Sequence, residues 1–325
     1  MEDSEFRLAE LIDDPSGVAA TFLAEWFSAE PTVAATTSGS TGTPKPIKLK
    51  KSDMRQSAEA TCRFFGIKSG NTLVLPLSPG YIAGKMMIVR SLVSGAKLFV
   101  EPASQTPLQR DYGSVALLPV VPSQIVGLLK SPYLRQVKNL LVGGAPLSEE
   151  VSLRLQQLGV NAYASYGMTE TCSHVALRRV DTDIYTSLPG ITFTTDSRGC
   201  LVINRPTYSE PHLVTNDIVE LLSDTEFRWL GRYDNVINSG GIKIIPEVVE
   251  QALCDVITSP YYIIGRKSAK WGEEVVLYVE GNRQSAEEIL TEARKRLNRY
   301  SVPKEVIFVE RFSRTDSGKI KRELL

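Results

Sequence analysis

Short apolar runs alternate with longer polar or periodic segments over the first half of the chain. The runs read TLVLPL, AKLFVEP, SVALLPV and KNLLVGG, and they lie at residues 72–77, 96–102, 114–120 and 138–144. Runs of this length, separated by longer segments, are typical of buried strands that alternate with helices. The pattern therefore predicts a large N-terminal α/β domain built on parallel strands.

The pattern changes after residue 188. The segment PGITFTTDSRGCLVINRP consists of short β-rich pieces with turn residues between them, which predicts a small antiparallel or barrel-like subdomain. Farther on, the runs IPEVVEQALCDV, EVVLYVEG and EVIFVERF indicate a compact α+β domain. We place the boundary near residue 232, which gives an N-terminal domain of residues 1–231 and a C-terminal domain of residues 232–325.

One helix of the C-terminal domain is marked clearly in the sequence. Ser285 and Glu288 have the spacing of a capping box, in which each side chain bonds the backbone N–H of the other residue. Ile289, Ala293 and Leu297 then follow at intervals of four, as on one face of a helix. We predict an amphipathic helix that starts at Ser285.

Composition and charge exclude several classes of protein. The chain has 325 residues with 37 Lys+Arg and 37 Asp+Glu, a balance that does not favour a nucleic-acid or membrane-surface binder. Its first residues, MEDSEFRLAELIDD, are acidic where a signal peptide is basic, and no apolar stretch approaches the ~20 residues of a membrane span. The four cysteines are scattered without zinc-site or disulfide spacing. We predict a cytoplasmic protein with neither a zinc site nor a disulfide framework.

The segment AATTSGSTGTPKPIKLKKSDM, residues 34–54, combines hydroxyl side chains, two glycines and a lysine. Glycines let backbone N–H groups form a concave nest for phosphate oxygens, and Lys45 adds a positive charge. The glycine spacing differs from that of the Walker loop of P-loop NTPases. From the residues alone, an anion-binding loop and a flexible linker both remain open.

Three later stretches carry further candidate chemistry. In LVGGAPLSEE and NAYASYGMTETCS, bare backbone at Gly143 and Gly144 would let a flat ring approach, Tyr166 would stack on it, and Glu170 would need a cation such as Mg²⁺ beside a phosphate. For Tyr166 alone, a core aromatic is the competing interpretation. In LVTNDIVEL and GRYDNVINSGGIKIIP, the acids are individually typical of caps or ion pairs.

Taken in order, TSGSTGTPKPI, SYGMTE, TND, GRYDNVINSGGIKI and SRTDSGKIKREL resemble the signature series of the adenylate-forming acyl-CoA ligase and synthetase superfamily. The resemblance extends from about Thr36 to the C-terminus. It implies that ATP and Mg²⁺ activate a carboxylic acid to an acyl-adenylate with release of pyrophosphate. The acyl group then passes to a thiol, commonly that of coenzyme A.

The resemblance also implies roles for individual residues. The loop would hold the β- and γ-phosphates, and its matching residues are Ser38, Gly39, Ser40, Thr41, Gly42, Thr43 and Lys45. The adenine site would be formed by Gly144, Ala145, Ser165, Tyr166 and Gly167. Thr169 would contact the α-phosphate, and Glu170 would hold the metal. Asp217 matches the ribose-binding acid, although the usual Thr-Gly-Asp reads Thr-Asn-Asp here. Arg232 matches a second nucleotide contact.

The remaining implied roles concern the C-terminal domain. Asp234 matches a hinge about which this domain swings between the two half-reactions, so the domain is expected to be mobile. Gly240 and Gly241 would line the pantetheine tunnel. Lys319 matches the catalytic lysine of adenylation, where a cation neutralises charge that develops in the transition state. For most C-terminal lysines, exposure on a solvated tail would be the better interpretation.

The choice of acid is less clearly marked. YASYGMTETCSHVALRRV is most similar to the short o-succinylbenzoate-CoA ligases of menaquinone biosynthesis, but Tyr81 stands where that branch often has a histidine. A free carboxylate on a diacid needs a cationic partner, and Lys85 and Arg90 lie in the right segment. We predict that only one of them, Arg90, points inward, with exposure of both side chains to solvent as the alternative. Ser165, Ser173 and His174 would flank the same pocket, with a purely structural His174 as the alternative.

Two other functions stay open in the sequence. One is activation of another aryl or short carboxylic acid, because one sequence shows the shape of a pocket poorly. The other is a nucleotide-binding regulator that lost turnover, an alternative prompted by the short N-terminal region and the absent histidine. A small-molecule acid is the expected partner, and the oligomeric state is open, with a homodimer as one option.

Overall fold

The structure is a computed structural model. It describes residues 10–37, 45–144, 147, 149–281, 284–314 and 320–324. The chain divides into two compact units. The first comprises residues 1–192, 204–212 and 224–226, and the second comprises residues 193–203, 213–223 and 227–325.

The first unit is built on a mainly parallel sheet. Its strands follow one another across the sheet in the order β1-β5-β4-β6-β7-β8-β9-β10. Across the sheet, neighbouring strands pair in parallel from β1 through β5, β4, β6 and β7 to β8. The last two pairs, β8 with β9 and β9 with β10, are antiparallel. The bounds are β1 Ile12–Asp13, β4 Thr72–Leu75, β5 Lys97–Val100, β6 Val115–Val120, β7 Leu140–Val142, β8 Ala162–Met168, β9 Ser173–Arg179 and β10 Ile184–Ser187.

The four apolar runs of the sequence form β4, β5, β6 and β7, and every residue of β6 is buried. Continuous burial is expected of parallel strands that are covered on both faces. Two further strands, β2 (Thr32–Thr36) and β3 (Pro46–Lys50), form a separate antiparallel pair. The predicted α/β fold with parallel strands is confirmed for this unit.

The helices of the first unit connect these strands. They are α1 (Ala20–Phe27), α2 (Lys51–Phe65), α3 (Ile82–Ser94), α4 (Pro122–Leu128) and α5 (Glu149–Gln157). Both α2 and α3 end at a glycine in the left-handed conformation, Gly66 and Gly95, as is common at helix C-termini. Residues 84–92 of α3 are all buried, so this helix lies in the interior rather than on the surface.

The second unit contains two antiparallel groups of strands. The first group follows the order β14-β13-β12-β11, and the second follows the order β16-β15-β18-β17, with β19 paired to β18 in parallel. The bounds are β11 Thr192–Thr195, β12 Cys200–Asn204, β13 His212–Leu221, β14 Glu226–Arg232, β15 Ile237–Ser239, β16 Ile242–Ile244, β17 Tyr261–Ser268, β18 Gly272–Glu280 and β19 Glu305–Val309. The predicted change to a β-rich pattern after residue 188 is confirmed.

Two helices, α6 (Pro246–Ala252) and α7 (Ala286–Arg296), cover the second group of strands. Their apolar faces pack with the strands in one core that contains Val249, Leu277, Ile289 and Ala293. Helix α7 starts with the predicted capping box, since Ser285 Oγ accepts from Glu288 N at 3.1 Å and Glu288 Oε2 accepts from Ser285 N at 3.4 Å. The α+β character of the C-terminal part is therefore confirmed.

None of the described helices has both the length and the apolar composition that crossing a membrane requires. The predicted functional boundary between residues 231 and 232 stays a prediction.

Candidate functional site

The turn that carries Thr169 and Glu170 lies between β8 and β9. Its residues Thr169–Thr171 form a single 3-10 turn, with Thr169 and Thr171 buried and Glu170 half-buried. Thr171 Oγ1 lies within hydrogen-bond distance of the carbonyls of Met168 (2.9 Å) and Ser173 (2.6 Å), either of which can accept its single proton, and it accepts from Met168 N at 2.9 Å, which closes the turn on itself. Two carbonyls of this turn, those of Glu170 and Cys172, receive side-chain hydrogen bonds from outside it.

Gly167 occupies the tightest point between the two strands. The β8–β9 register shifts between Tyr166 and Gly167, and this shift brings the facing strand close. A Cβ at residue 167 would overlap the carbonyl oxygen of Ser173 and lie 2.5 Å from His174 Cα. Glycine is required here because of this close approach, so the motif position has a packing reason as well as an expected ligand contact.

The turn contacts the start of the phosphate-loop segment. Thr169 Oγ1 donates to the carbonyl of Thr36 at 3.4 Å. At the far end of the segment, Thr37 N donates to Lys45 O at 2.9 Å and Lys45 N donates to Thr37 Oγ1 at 3.2 Å, while the Lys45 side chain is exposed. The structure therefore brings Lys45 and Thr169 to the same neighbourhood. The predicted loop residues Ser38, Gly39, Ser40, Thr41, Gly42 and Thr43 lie outside the described residues.

The predicted adenine residues also lie together. Strands β7 and β8 pair in parallel, with Val142 opposite Ala164, so Gly144 and Tyr166 follow at the same end of the two strands. Ser165 Oγ donates to Val142 O at 3.1 Å and fixes the spacing. Gly144 is exposed with a left-handed φ of 88°. Ala145 lies outside the described residues.

Tyr185 is a neighbour of Tyr166 that the sequence analysis missed. Its ring meets that of Tyr166 edge to face, with centroids 5.8 Å apart, and the Arg178 guanidinium lies 5.5 Å from the Tyr185 centroid. Edge-to-face pairs favour one ring orientation over others. Pairing of β9 with β10 brings Tyr185 here, and no local motif in the sequence indicates it.

Arg90 and His174 form a buried pair close to the turn. Arg90 is 1% exposed, and its Nη2 lies 3.5 Å from His174 Nδ1. His174 Nε2 lies 3.1 Å from Thr61 Oγ1, whose proton is donated to Ser57 O at 3.0 Å. This chain of bonds favours the tautomer in which Nε2 carries the proton and Nδ1 accepts from Arg90.

Burial sets the charge of both members of this pair. Desolvation, together with the neighbouring Arg90 charge, holds the pKa of His174 well below its usual value, so the imidazole is neutral at neutral pH. Burial also lowers the pKa of Arg90 to about 10, which leaves the guanidinium charged. Among the described residues no carboxylate pairs with Arg90, and its Nε has no hydrogen-bond partner.

The prediction that only Arg90 of the two candidate cations points inward is wrong. Lys85 is also buried, at 8% exposure, with its Nζ 3.8 Å from Glu25 Oε2 and 4.7 Å from the Phe22 ring centroid. The spacing argument failed because α3 is buried on nearly all sides, so two faces of this helix are interior. Burial lowers the pKa of Lys85, and the Glu25 charge opposes that shift. Lys85 is thus already paired within the protein.

The other two expected substrate residues differ in environment. Ser173 is half-buried, and its Oγ lies 3.3 Å from His174 Nδ1. Tyr81 is the N-cap residue of α3 and is 67% exposed. The structure therefore groups Ser173 with Arg90 and His174, but it does not show Tyr81 in that group.

The second unit holds the expected ribose acid on β13 and the expected hinge residue in the turn that follows β14. Asp217 on β13 faces Arg232 on β14, and Arg232 Nη1 lies 3.6 Å from Asp217 Oδ1. Arg232 Nη2 also donates to Asp234 Oδ2 at 2.8 Å. Trp229 Nε1, which the sequence analysis missed, donates to Asp217 Oδ1 at 3.1 Å. The three predicted residues Asp217, Arg232 and Asp234 therefore form one charged cluster.

Asn216, which replaces the usual glycine, belongs to this cluster. Its Nδ2 donates to Asp234 Oδ1 at 3.1 Å, and its Oδ1 accepts from Arg198 Nη1 at 2.9 Å. Gly240 and Gly241 are exposed and both have a left-handed φ, and Gly240 N donates to Trp271 O at 2.7 Å. Lys319 lies outside the described residues.

The described residues provide one candidate ligand for a divalent cation. No cluster of three or more His, Cys, Asp or Glu in metal-binding geometry occurs within the described ranges. Mg²⁺ commonly takes one or two protein carboxylates together with substrate phosphates and water. A single half-buried carboxylate on the Glu170 turn, beside the start of the phosphate-loop segment, fits a cation that arrives with a nucleotide.

Comparison with known families agrees with these motifs. The model of the AMP-binding enzyme family matches residues 20–204, and that of the AMP-binding enzyme C-terminal domain matches residues 259–319. The chain belongs to the AMP-binding enzyme family. The predicted superfamily and fold class are confirmed, and so, at the level of the family, is the class of AMP-forming ligases.

Individual relatives show how similar this chain is in sequence and structure to other members of the family. The acyl-CoA synthetase (AMP-forming)/AMP-acid ligase II-like protein from Dyadobacter fermentans is 33% identical, with a TM-score of 0.64 over 94% of this chain and 91% of the other. The 2-succinylbenzoate–CoA ligase of Enterococcus faecalis is 27% identical over 88% of this chain and 67% of its own. O-succinylbenzoate coenzyme A synthetase from Bacillus subtilis shares the fold, with a TM-score of 0.77 at 21% identity. The chain spans about two thirds of the curated ligases it matches.

Proposed function

We propose that the chain is a cytoplasmic, Mg²⁺-dependent ligase that joins o-succinylbenzoate to coenzyme A, a step of menaquinone biosynthesis. In the first half-reaction, a carboxylate oxygen attacks the α-phosphorus of ATP and pyrophosphate leaves. In the second, the coenzyme A thiolate attacks the acyl carbon and AMP leaves. The proposal follows the curated relatives at 27% and 26% identity that carry this activity in their names.

One observation carries the proposal: the contact between Thr169 Oγ1 and the Thr36 carbonyl. It joins the turn with the expected α-phosphate and metal residues to the segment expected to hold the β- and γ-phosphates. Gly144 and Tyr166 at the ends of β7 and β8 then supply a place for the adenine ring. A bound ATP would thus have its β- and γ-phosphates at the phosphate-loop segment, its α-phosphate and metal at the Thr169–Glu170 turn, and its adenine ring at Gly144 and Tyr166.

Different residues of the chain would bind the metal, the phosphates and the ribose and would stabilise the transition state. Glu170 would hold Mg²⁺, which supplies neutralising charge on the phosphates when it is bound. Thr169 would donate to the α-phosphate, and the exposed Lys45 would add charge at the loop. Asp217 would accept from the ribose hydroxyls, with Arg232 as a second nucleotide contact. Lys319 would stabilise the charge that develops at the α-phosphate.

The two half-reactions need different groups near the same atoms. We propose that residues 1–231 and 232–325 act as functional domains that turn about Asp234, so that Lys319 serves adenylation and the Gly240–Gly241 backbone serves the pantetheine chain. A hinge at one residue between strands allows such a change without a loss of packing inside either domain.

Arg90 supports an acid with a second carboxylate. A buried guanidinium without an acidic partner among the described residues is costly unless a ligand anion satisfies it. The free carboxylate of o-succinylbenzoate would supply that anion, with Ser173 beside it and His174 accepting from the same guanidinium.

A ligase for another aryl or short acid is the second candidate. The relative from Dyadobacter fermentans, which matches this chain over nearly its full length, is named for the general reaction and not for one acid. Tyr81 departs from the histidine expected at its position and is exposed, which leaves the mouth of the acid pocket unlike that of the named branch.

A panel assay tests the proposal. The protein is incubated with ATP, Mg²⁺, coenzyme A and each of several acids, and pyrophosphate, AMP and acyl-CoA are followed separately. We expect equal amounts of the three products with o-succinylbenzoate and much less product with a monoacid analogue. Faster reaction with a monoacid would favour the second candidate. Nucleotide binding without pyrophosphate release would indicate a regulator, and ADP would contradict the proposed chemistry.

A further inference from the structure

A buried arginine contacts the backbone that carries Glu170. Arg205 lies in the segment Asn204–His212, which belongs to the same compact unit as Glu170 although the residues on either side of it in sequence belong to the other. Arg205 is 2% exposed. Its Nη2 donates to the carbonyl oxygen of Glu170 at 3.2 Å. Nothing in the motif series of the sequence singles out this arginine.

The other contacts of Arg205 keep its guanidinium in one place. Nε donates to the carbonyl of Glu210 at 2.9 Å, and the guanidinium carbon lies 5.0 Å from the centroid of the Tyr208 ring. The Glu210 carboxylate is 73% exposed and lies 3.9 Å from Nη2, so it is a weak counterion. Nη1 has no hydrogen-bond partner among the described residues. Burying a guanidinium whose partners are mainly carbonyl groups costs free energy of folding, so a specific role is expected for this side chain.

The segment that carries Arg205 is itself anchored to α2. Both Ser209 N and Ser209 Oγ donate to Asp53 Oδ1 at 3.1 Å, and Gln56 Nε2 donates to Thr207 O at 3.1 Å. Helix α2 also supplies Ser57, whose Oγ donates to the carbonyl of Cys172 at 2.9 Å. The turn is therefore held at two carbonyls, that of Cys172 by Ser57 and that of Glu170 by Arg205.

The backbone after Glu170 needs such support. Cys172 and Ser173 have φ values of 56° and 88°, in the left-handed region that residues with a Cβ seldom adopt. Conformations of this kind persist only where surrounding bonds over-determine them. Without the bond from Arg205, the carbonyl of Glu170 would lose the donor that fixes its orientation, and the carboxylate on the same residue would be held less firmly.

We propose that Arg205 is a positioning residue for Glu170. It fixes the peptide from which the metal-binding carboxylate projects and touches neither the metal nor the nucleotide. The inference rests on the proposed function, in which Glu170 holds the divalent cation that accompanies ATP. Residues that orient metal ligands typically change metal affinity by 10- to 100-fold when they are mutated.

The test compares Arg205→Met, which keeps the length of the side chain and removes its donors, with Arg205→Lys, which retains one cationic donor. Binding of Mn²⁺ in the presence of ATP is measured by electron paramagnetic resonance, without turnover. We expect the Mn²⁺ dissociation constant to rise about tenfold in Arg205→Met and by less in Arg205→Lys. The Mg²⁺ concentration at half-maximal ATP–pyrophosphate exchange should shift in the same order.

Glu101→Gln is the matched control. Glu101 is a buried carboxylate of another loop in the first unit and accepts from Leu108 N, Gln109 N and Tyr112 Oη. This variant should lose stability and leave Mn²⁺ binding unchanged. Equal Mn²⁺ affinity in wild type, Arg205→Met and Arg205→Lys would overturn the inference. If Arg205→Met does not fold, Arg205→Lys provides the test: weaker Mn²⁺ binding than in wild type supports the inference, and equal binding overturns it.

Different results would contradict the proposed function and the proposed role of Arg205. A wild-type protein that binds Mn²⁺ with ATP but forms no pyrophosphate with any acid contradicts the proposed function, whatever the variants do. A wild type that exchanges pyrophosphate normally, together with variants of unchanged metal dependence, contradicts only the role of Arg205.

Discussion

The two units hold their candidate site residues in different ways. In the first unit, the Thr169–Glu170 turn is held through its backbone carbonyls by buried side chains, Ser57 and Arg205. In the second unit, Asp217, Arg232 and Asp234 are linked by ion pairs between their side chains, and the Arg232 and Asp234 side chains are 31% and 41% exposed. Buried bonds to backbone resist change, whereas exposed charged bonds exchange readily with water. The first arrangement suits fixed recognition of phosphates, and the second suits residues expected to rearrange at a hinge.

This comparison predicts that changes beside the first turn are costly and that changes in the exposed cluster are mild. The largest effect is expected for Gly167→Ala, because the added Cβ would overlap the carbonyl oxygen of Ser173 in a paired strand. We expect a loss of about 3 kcal/mol or more in the free energy of unfolding, measured in urea, and loss of ATP binding. Gly159→Ala, with no atom within 4 Å of its Cβ, is the control and should cost about 1–2 kcal/mol through its φ alone.

Arg90→Met should separate stability from binding. Removing a buried charge that has no acidic partner among the described residues should leave the free energy of unfolding at or above the wild-type value. If Arg90 grips the free carboxylate of the acid, loss of that charged hydrogen bond, about 1.5–3 kcal/mol, should weaken acid binding roughly 10- to 100-fold. The KM for o-succinylbenzoate measures this effect, and a monoacid analogue is the control. An equal change for both acids would contradict a carboxylate contact.

The buried imidazole predicts a pH dependence of stability. The native pKa of His174 lies well below its ordinary value of 6.5, so below pH 6.5 the unfolded chain binds a proton that the native protein does not. Stability should therefore fall as the pH falls below 6.5, by up to about 1.4 kcal/mol per pH unit. Urea unfolding at pH 7.5, 6.5 and 5.5 measures the slope.

His174→Gln should flatten this slope, because glutamine does not titrate. His212→Gln should retain it, since His212 is exposed. The charged and polar groups that contact His174 are Arg90, Thr61 and Ser173. Identical slopes in wild type and His174→Gln would show that other groups cause the acid sensitivity.

The smallest effect is expected for Asn216→Gly, which restores the glycine usual in the family. It removes one half-exposed donor to Asp234 and one acceptor for Arg198. We expect a change of no more than about 1 kcal/mol in the free energy of unfolding, smaller at 0.5 M salt than at low salt. Urea titrations at both salt concentrations measure it. A loss of several kcal/mol would show that the second cluster is as rigid as the first and would remove the contrast.

The sequence by itself determined the elements and the order of the motifs. Ser285, Glu288 and Ile289 define the start of α7 because capping and helical periodicity depend only on residues within about one turn of each other. The parallel strands β4 to β7 were likewise predictable, since each is a short continuous apolar run. The motif residues Thr169, Glu170, Asp217 and Arg232 could be found because they lie in short, specific patterns.

Only the tertiary structure decided which distant side chains support those motifs. Arg205 reaches Glu170 across 35 positions, and His174 reaches Thr61 across 113, through contacts that no local pattern encodes. It also decided that Lys85 is interior, because the burial of α3 depends on what packs around it and not on its own spacing. Local bonds and periodicity are written in neighbouring residues, whereas burial, close approach at Gly167 and the charge state of His174 arise only when remote segments exclude water together.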